Sequence, residues 1–354
     1  MKKAAPASRP GEDEEEANAP PGSEPLAAGA LTMEAIAERA GVSKITVSRA
    51  LRNSPLVTPE TSARIKAIAD QLGYRFNHSA RNLRLRRTHI IAVVLEMQPD
   101  VDRPIGDPFP LQLLGGVMQE LTVRGYSMLL TTMESLNKGQ GIAADGMILL
   151  GQGEDGQAQR VLEALNLPVA VWGAGAADAA GETMVVGSDN LHGGACVAER
   201  FLQLQRQRVW FLGDPHHAEV AERHKGLEQR LRRAKVPVLT LSPAAFTFGA
   251  GFTAVQAQLA RDAGRPDALL AASDLLAMGA VRALSDAGLS VPEDVTVVGY
   301  DDSPAGQTFV PALSSVRQDW RQGGVLLARK VLDRLAGRAT HSEILPTSLV
   351  LRDT

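Results

Sequence analysis

Two kinds of hydrophobic period divide the chain. Between residues 31 and 88, apolar positions recur at helical spacing in short bursts, each closed by a turn signal. Thr32 can cap a first helix that carries Glu34 in its first turn and faces Ile36 and Ala37 inward; Gly41 breaks it. Ser43 can cap a second helix over 44–51, which buries Val47 and Ala50 and turns Lys44, Ile45 and Arg49 outward. Thr58-Pro59-Glu60 is a cap, a proline at the first helical position and an acid after it. The third helix it opens presents Ile65, Ile68, Ala69 and Leu72 on one face and stops at Gly73. Two helices joined by a short glycine-containing turn make a helix-turn-helix pattern.

From His89 onward, short continuous apolar runs alternate with amphipathic stretches. Strands are predicted at 90–95, 127–131, 146–150, 169–172, 185–187, 209–212, 236–241, 268–272 and 295–300. Helices are predicted at 111–124, 157–165, 191–204, 219–233, 250–262, 275–286 and 321–335. Repeated βα units with fully apolar strands predict parallel sheets covered by helices on both faces. The region is too long for one sheet, so two α/β lobes are expected, with ligands at the carboxyl ends of the strands between them.

Composition adds exclusions. Of 354 residues, 44% are hydrophobic, enough for a sizeable core, and no run approaches eighteen apolar residues, which excludes a transmembrane helix. The N-terminus has two lysines but no apolar segment of a secretory signal, so a cytoplasmic location is expected. The single cysteine, Cys196, excludes an internal disulfide framework and a multi-cysteine zinc site; its place on the apolar face of a predicted helix makes it a core residue. Residues 1–30, rich in Pro, Glu, Ala and Gly with no apolar period, are expected to form a disordered acidic tail.

Charge is uneven. Residues 31–88 hold eleven Lys/Arg against four Asp/Glu, while the remainder is net acidic. A compact basic segment on an acidic body points to an anionic polymer as partner, with nucleic acid leading.

These segments resemble a known family. LTMEAIAERAGVSKITVSRALRN followed by VTPETSARIKAIADQLGYRFNHSARNLR is similar to the headpiece and hinge of lactose-repressor-type (LacI/GalR) transcription regulators. The likeness continues through SDNLHGGACVAERFL, SDLLAMGAVRALSDAGLSVPEDVTVVGYDD and PALSSVRQDWRQGG to LPTSLVLRDT, covering 32–354. It implies an all-α headpiece over 31–76, a hinge helix over 77–88, and a two-lobed, periplasmic-binding-protein-like α/β core over 89–354. The first lobe would span about 89–187 with part of 317–345, and the second about 188–316 with the C-terminal segment.

By the resemblance, the second helix enters the major groove of operator DNA. Lys44, Ile45 and Arg49 would meet base edges, Arg49 at guanine and Ile45 at a thymine methyl, while Ser43, Thr46 and Ser48 suit phosphate contact. Thr32 joins this set. In the hinge, Asn77, Ala80, Arg81 and Leu83 would meet DNA, with Leu83 as a minor-groove wedge. A helix this short is marginal alone and should form only on DNA with a partner chain.

The effector cleft implied by the resemblance contains Asp107, Phe109, Trp172, Arg223, Phe246, Ser273, Asp301, Gln318 and Trp320. Carboxylate, guanidinium and amide groups suit sugar hydroxyls, and aromatic faces cover a sugar's C–H face. Departures stand beside it: Ser273 where many members have Asn, Gly173 where some have a polar residue, and a connection over 133–144 too short for the usual helix. The chain stops without a leucine heptad segment, so a homodimer is expected rather than a tetramer.

Two signals are set aside. Gly151, Gly153 and Gly156 spell GxGxxG, but Glu154 and Asp155 would repel a pyrophosphate. His216 and His217 lack companions at metal spacing, so no metal is expected. No nucleophile–base pair supports an enzyme, and no cofactor is implied. The expectation is a ligand-responsive transcriptional regulator, most simply a repressor of carbohydrate-utilisation genes. The alternatives are a sugar-binding protein of the same core without a DNA role, or a regulator answering a nucleobase or other non-sugar ligand.

Overall fold

The computed structural model describes residues 32–74, 87–96, 106–138, 142–152, 165–175, 183–261 and 264–354. The chain divides into two compact units, a headpiece and a core. The acidic tail, the hinge residues Asn77, Ala80, Arg81 and Leu83, the helix expected at 157–165, and Gly153 and Gly156 of the GxGxxG string lie outside the described residues.

The headpiece is three helices, α1 (Met33–Ala40), α2 (Lys44–Ala50) and α3 (Pro59–Gln71). Thr32, Ser43 and Thr58 each accept a hydrogen bond from the backbone N–H three residues on, and Gly41 closes α1 in the left-handed region at φ 63°. Ile36, Ala37, Ala40, Val47, Ala50, Ile65 and Ala69 form its core. Small residues on α1 and α2 let the helices approach closely enough to bury Ile36 and Ile65 completely.

The core carries two six-stranded sheets. In chain order the elements are β1 (Ile90–Leu95), α4 (Pro108–Val123), β2 (Ser127–Thr132), α5 (Met133–Asn137), β3 (Gly146–Leu150), β4 (Val169–Trp172), β5 (Met184–Ser188) and α6 (Asn190–Gln203). There follow β6 (Val209–Leu212), α7 (Ala218–Arg233), β7 (Val238–Leu241), α8 (Phe248–Leu259), β8 (Ala268–Ala271), α9 (Asp274–Asp286), β9 (Thr296–Asp301) and α10 (Pro304–Thr308). The chain ends with β10 (Ser314–Arg317), α11 (Trp320–Leu335), β11 (Glu343–Leu345) and β12 (Ser348–Val350).

The first sheet runs β11-β5-β4-β3-β1-β2 and the second β12-β10-β9-β8-β6-β7. All pairings are parallel except β10 with β12. The central strands are buried along their whole length, which is why their sequences are unbroken apolar runs. The edge strands β11 and β12, and β10 between β12 and β9, were not expected; three or four residues each, they have too little pattern to stand out. At the opposite edge, Leu129 and Leu130 of β2 are about two-fifths exposed. The connection after β2 is reduced to the five-residue α5, in keeping with the shortness of 133–144.

Helices pair by backbone contact. A Cβ at Gly194 would stand 2.0 Å from the Arg223 carbonyl oxygen, and one at Gly226 2.0 Å from that of Leu191, so α6 and α7 lock reciprocally. Gly116 on α4 and Gly324 on α11 repeat the arrangement in the first lobe. These contacts fix α7 and α11, the helices that carry Arg223 and Trp320, against their neighbours.

Candidate functional site

On the headpiece, Ser43, Lys44, Ile45 and Arg49 are exposed and Thr32, Thr46 and Ser48 half-exposed. Ile45 is 62% exposed, an apolar side chain that the fold leaves in water on a basic face. Such a residue has no packing role and is available for contact with a base edge. The Ser43 hydroxyl accepts from the Thr46 N–H at 3.2 Å and lies 2.9 Å from the Thr46 hydroxyl, so the cap also orders the start of the outward face. One feature differs from the sequence expectation: the Lys44 ammonium is paired with the Glu34 carboxylate of α1. That hydrogen bond holds the Glu34 carboxyl below its usual range. Lys44 is therefore engaged within the headpiece, by a carboxylate of the neighbouring helix.

In the core, the expected cleft residues form two groups at the carboxyl ends of the sheets. The first-lobe group is aromatic. Phe109, half-buried at the start of α4, meets Trp320 edge-on with ring centroids 5.5 Å apart and Trp172 at 6.5 Å. Trp172 and Trp320 themselves are buried in the first-lobe core. They back Phe109 rather than expose a face of their own. Gly323 makes room for Trp172, since a Cβ there would stand 2.2 Å from the indole. Asp107 caps α4, its Oδ1 accepting from the Phe109 N–H at 2.9 Å.

The second-lobe group is polar and centred on Arg223. Its guanidinium, 6% exposed, donates from Nε to Asn190 Oδ1 at 2.9 Å and from Nη1 to the Ala272 carbonyl at 2.6 Å. It lies over the Tyr300 ring, 3.9 Å from the centroid. Among the described residues no carboxylate lies within ion-pair distance of it. A buried cation fixed on three sides with its remaining N–H groups unspent is prepared for an acceptor. Burial pushes the Tyr300 hydroxyl well above its ordinary range, and Gly193 supplies the space the hydroxyl occupies.

Beside it, Gln318 Nε2 donates to Asp301 Oδ1 at 2.8 Å, and both residues are more than nine-tenths buried. Ser273 is fully buried and spent as the cap of α9. Phe246 is half-buried against His217, ring centroids 5.3 Å apart. Gln152 fills the space beside Gly173, its Oε1 accepting from the Ala174 N–H at 2.9 Å. Asn190, Tyr300 and Gln152 were not singled out from sequence, and His217 was weighed only as a metal ligand. The repeated spacing Asp189-x3-Gly193-Gly194 and Asp319-x3-Gly323-Gly324 could have drawn attention to Asn190, because it marks two equivalent helix starts.

Two sequence readings need correction. Cys196 is not core: it is half-exposed on α6, its sulfur 3.2 Å from His192 Nε2. The helix turns its Gly193, Val197 and Phe201 side inward instead. His216 does have a carboxylate companion, Asp214 Oδ1 at 2.7 Å from its Nδ1, although no set of three metal-ligating side chains occurs among the described residues. Among these residues no helix is long and apolar enough to cross a membrane.

Comparison with known proteins decides the family. Residues 32–77 match the bacterial regulatory proteins of the lacI family, and 198–354 match a periplasmic binding protein-like domain. The HTH-type transcriptional regulator CelR of Thermobifida fusca is 32% identical over 335 residues, 91% of this chain and 98% of CelR. The chain belongs to the LacI family. As a LacI-family protein it is a DNA-binding transcriptional regulator and not an enzyme. The ribose operon repressor of Escherichia coli (strain K12) is 25% identical over 334 residues, covering 91% and 98% of the two chains. Among solved structures, the CelR–cellobiose complex superimposes with a TM-score of 0.67 at 30% identity, covering 91% of this chain and 99% of that one. The lac repressor dimer bound to operator and the anti-inducer ONPF gives 0.79 at 24% identity, covering 91% and 98%, a likeness of fold.

Proposed function

We propose that this LacI-family chain is a sugar-responsive repressor of carbohydrate-utilisation genes that works in the cytoplasm and binds a palindromic operator as a homodimer. The observation that carries the reading is Arg223, a buried guanidinium held by Asn190, Ala272 and Tyr300 with donors left over and, among the described residues, no carboxylate to neutralise it. A polyol offers paired oxygens to such a fork without adding a second charge. Asp301 and Gln318 supply an acceptor and an amide, and Phe109 and Phe246 are the partly exposed rings for an apolar sugar face. CelR, a relative with a cellobiose complex, supports a sugar as the first ligand class to test.

On the headpiece, Arg49 and Ile45 are the base-reading residues and Lys44 joins them after leaving Glu34; Ser43, Thr46, Ser48 and Thr32 serve the phosphates. The hinge residues Asn77, Ala80, Arg81 and Leu83 complete the contact, with Leu83 as the wedge. Exposed Val310, 87% accessible, and the half-exposed pair Leu129 and Leu130 are apolar surface that a second copy would cover. The test is a melting screen against cellobiose, ribose, other sugars and free purines. A sugar should raise the melting temperature in proportion to the logarithm of its concentration. A response to purines alone would replace the sugar by a nucleobase, and a response to neither would remove Arg223 as the effector arginine.

A further inference from the structure

Asp301 and Asp302 both have positive φ, 118° and 51°. Such a backbone is unfavourable for a non-glycine residue and persists only where its surroundings over-determine it. The surroundings that do so meet at Asp302. Its carboxylate, 3% exposed, takes Arg317 Nε on Oδ2 at 2.6 Å and the Arg352 guanidinium on Oδ1. Its N–H donates to Ser315 Oγ at 2.9 Å, and its carbonyl accepts from Gln307 Nε2 at 3.0 Å. Ser315 Oγ in turn donates to Asp274 Oδ1 at 2.6 Å, and Asp274 Oδ2 accepts from the Ser303 N–H at 2.6 Å. Every polar group of Asp302 is thus engaged, from β10, from α10 and from the segment after β12.

Its neighbour faces otherwise. Asp301 ends β9, stands opposite Arg317 in the β9–β10 register, and gives its Oδ1 to Gln318 beside the cleft. Two adjacent carboxylates with opposite destinations require the backbone turn that their positive φ values describe. If Asp302 is released, the turn can relax to negative φ, and that rotation swings the Asp301 carboxylate away from Gln318. The C-terminal segment enters the same device. Arg352 Nη1 also donates to the Leu313 carbonyl at 2.6 Å, tying the end of the chain to the start of β10.

We propose that Asp302, clamped by Arg317 and Arg352, is the positioning residue that aims Asp301 at the effector; this rests on the cleft reading above. Arg317 is the point of entry for a test, because its side chain is 56% exposed and its removal opens no core cavity. The full-length protein is prepared as wild type, Arg317→Met and Arg317→Lys. Amide hydrogen exchange at 302 and 303 is followed without ligand, and cellobiose affinity is measured by calorimetry alongside the melting temperature.

Arg317→Met should speed exchange at Asp302 and Ser303 by tenfold or more. It should weaken cellobiose binding by about tenfold, the weight of one misplaced charged hydrogen bond, while melting moves only a few degrees. Arg317→Lys, which keeps the charge, should recover most of both. Unchanged exchange at Asp302 overturns the clamp, and lower melting with unchanged cellobiose affinity reduces it to a fold contact and overturns the positioning role. A wild-type protein indifferent to every sugar defeats the sugar reading alone, and the exchange arm still decides whether Arg317 holds the turn.

Discussion

Arg223→Met separates a residue kept for the ligand from one kept for the fold. The substitution preserves length and removes the charge. Two acceptors lose a donor, Asn190 Oδ1 and the Ala272 carbonyl, at about 1–3 kcal/mol each, and the contact with the Tyr300 ring is worth up to about 2 kcal/mol. Against this stands a cation 6% exposed with no carboxylate partner among the described residues, whose lost hydration amounts to several kcal/mol. The opposing sums are of one size, so the ligand-free protein should change by no more than about 2 kcal/mol, a few degrees in melting temperature. Ligand response should behave differently. At a sugar concentration a hundred times the wild-type dissociation constant, binding stabilises by about 2.7 kcal/mol. Losing a charged hydrogen bond weakens binding by about 10- to 100-fold, which leaves about 1.4 kcal/mol or less at the same concentration. Scanning fluorimetry with and without sugar reads both numbers. A loss beyond about 4 kcal/mol without ligand, together with an undiminished sugar shift, would refute the reasoning and make Arg223 a fold residue.

Three other outcomes are expected. Arg49→Ala should weaken operator binding by about 1–3 kcal/mol and random-sequence binding by less, as fluorescence anisotropy can read; equal losses would place Arg49 on phosphate only. Gly194→Ala should cost about 1–3 kcal/mol by overpacking, and because its Cβ meets the Arg223 carbonyl it should also displace α7 and weaken the ligand. Asp274, whose carboxyl burial pushes up to about 6 despite hydrogen bonds from Ser315 and Ser303, holds its proton more tightly folded than unfolded. Its contribution to stability should therefore grow as pH falls from about 6 toward 4 and be lost as pH rises through 6; the difference in unfolding free energy between wild type and Asp274→Asn, followed across that range, measures it, and a flat difference would contradict the shift.

The elements most legible in the sequence were those with strong local signals. Thr58-Pro59 and Ser43 announced their helices because capping is chemistry within four residues, and the buried strands announced themselves because both faces are apolar. The edge strands β11 and β12, and the short inner strand β10, gave no such signal. Their pairing comes from distant segments, as when β11 lies beside β5 after an intervening lobe. The cleft was half legible. Arg223, Asp301 and Gln318 came from the family resemblance, but what holds them did not, since the side chains of Asn190, Tyr300 and Asp302 act through contacts 15 to 77 residues apart in the chain. Trp172 and Trp320 were expected to line the cleft; the structure buries them behind Phe109, because a large ring at a strand end can face either the ligand or the lobe's own core. Cys196 shows the limit of periodicity: one residue's rotation about α6 moves it from core to half-exposed.

The central claim is that one chain couples sugar binding to sequence-specific DNA binding. The most direct measurement selects DNA from a random-sequence pool with the full-length protein, then follows binding of the winning sequence by anisotropy with and without cellobiose and the remaining sugars. The account predicts enrichment of a palindromic site and a change of tenfold or more in its affinity when a sugar binds, with Arg223→Met retaining the site and losing the change. Enrichment of no sequence, or a site whose affinity no sugar alters, would contradict it.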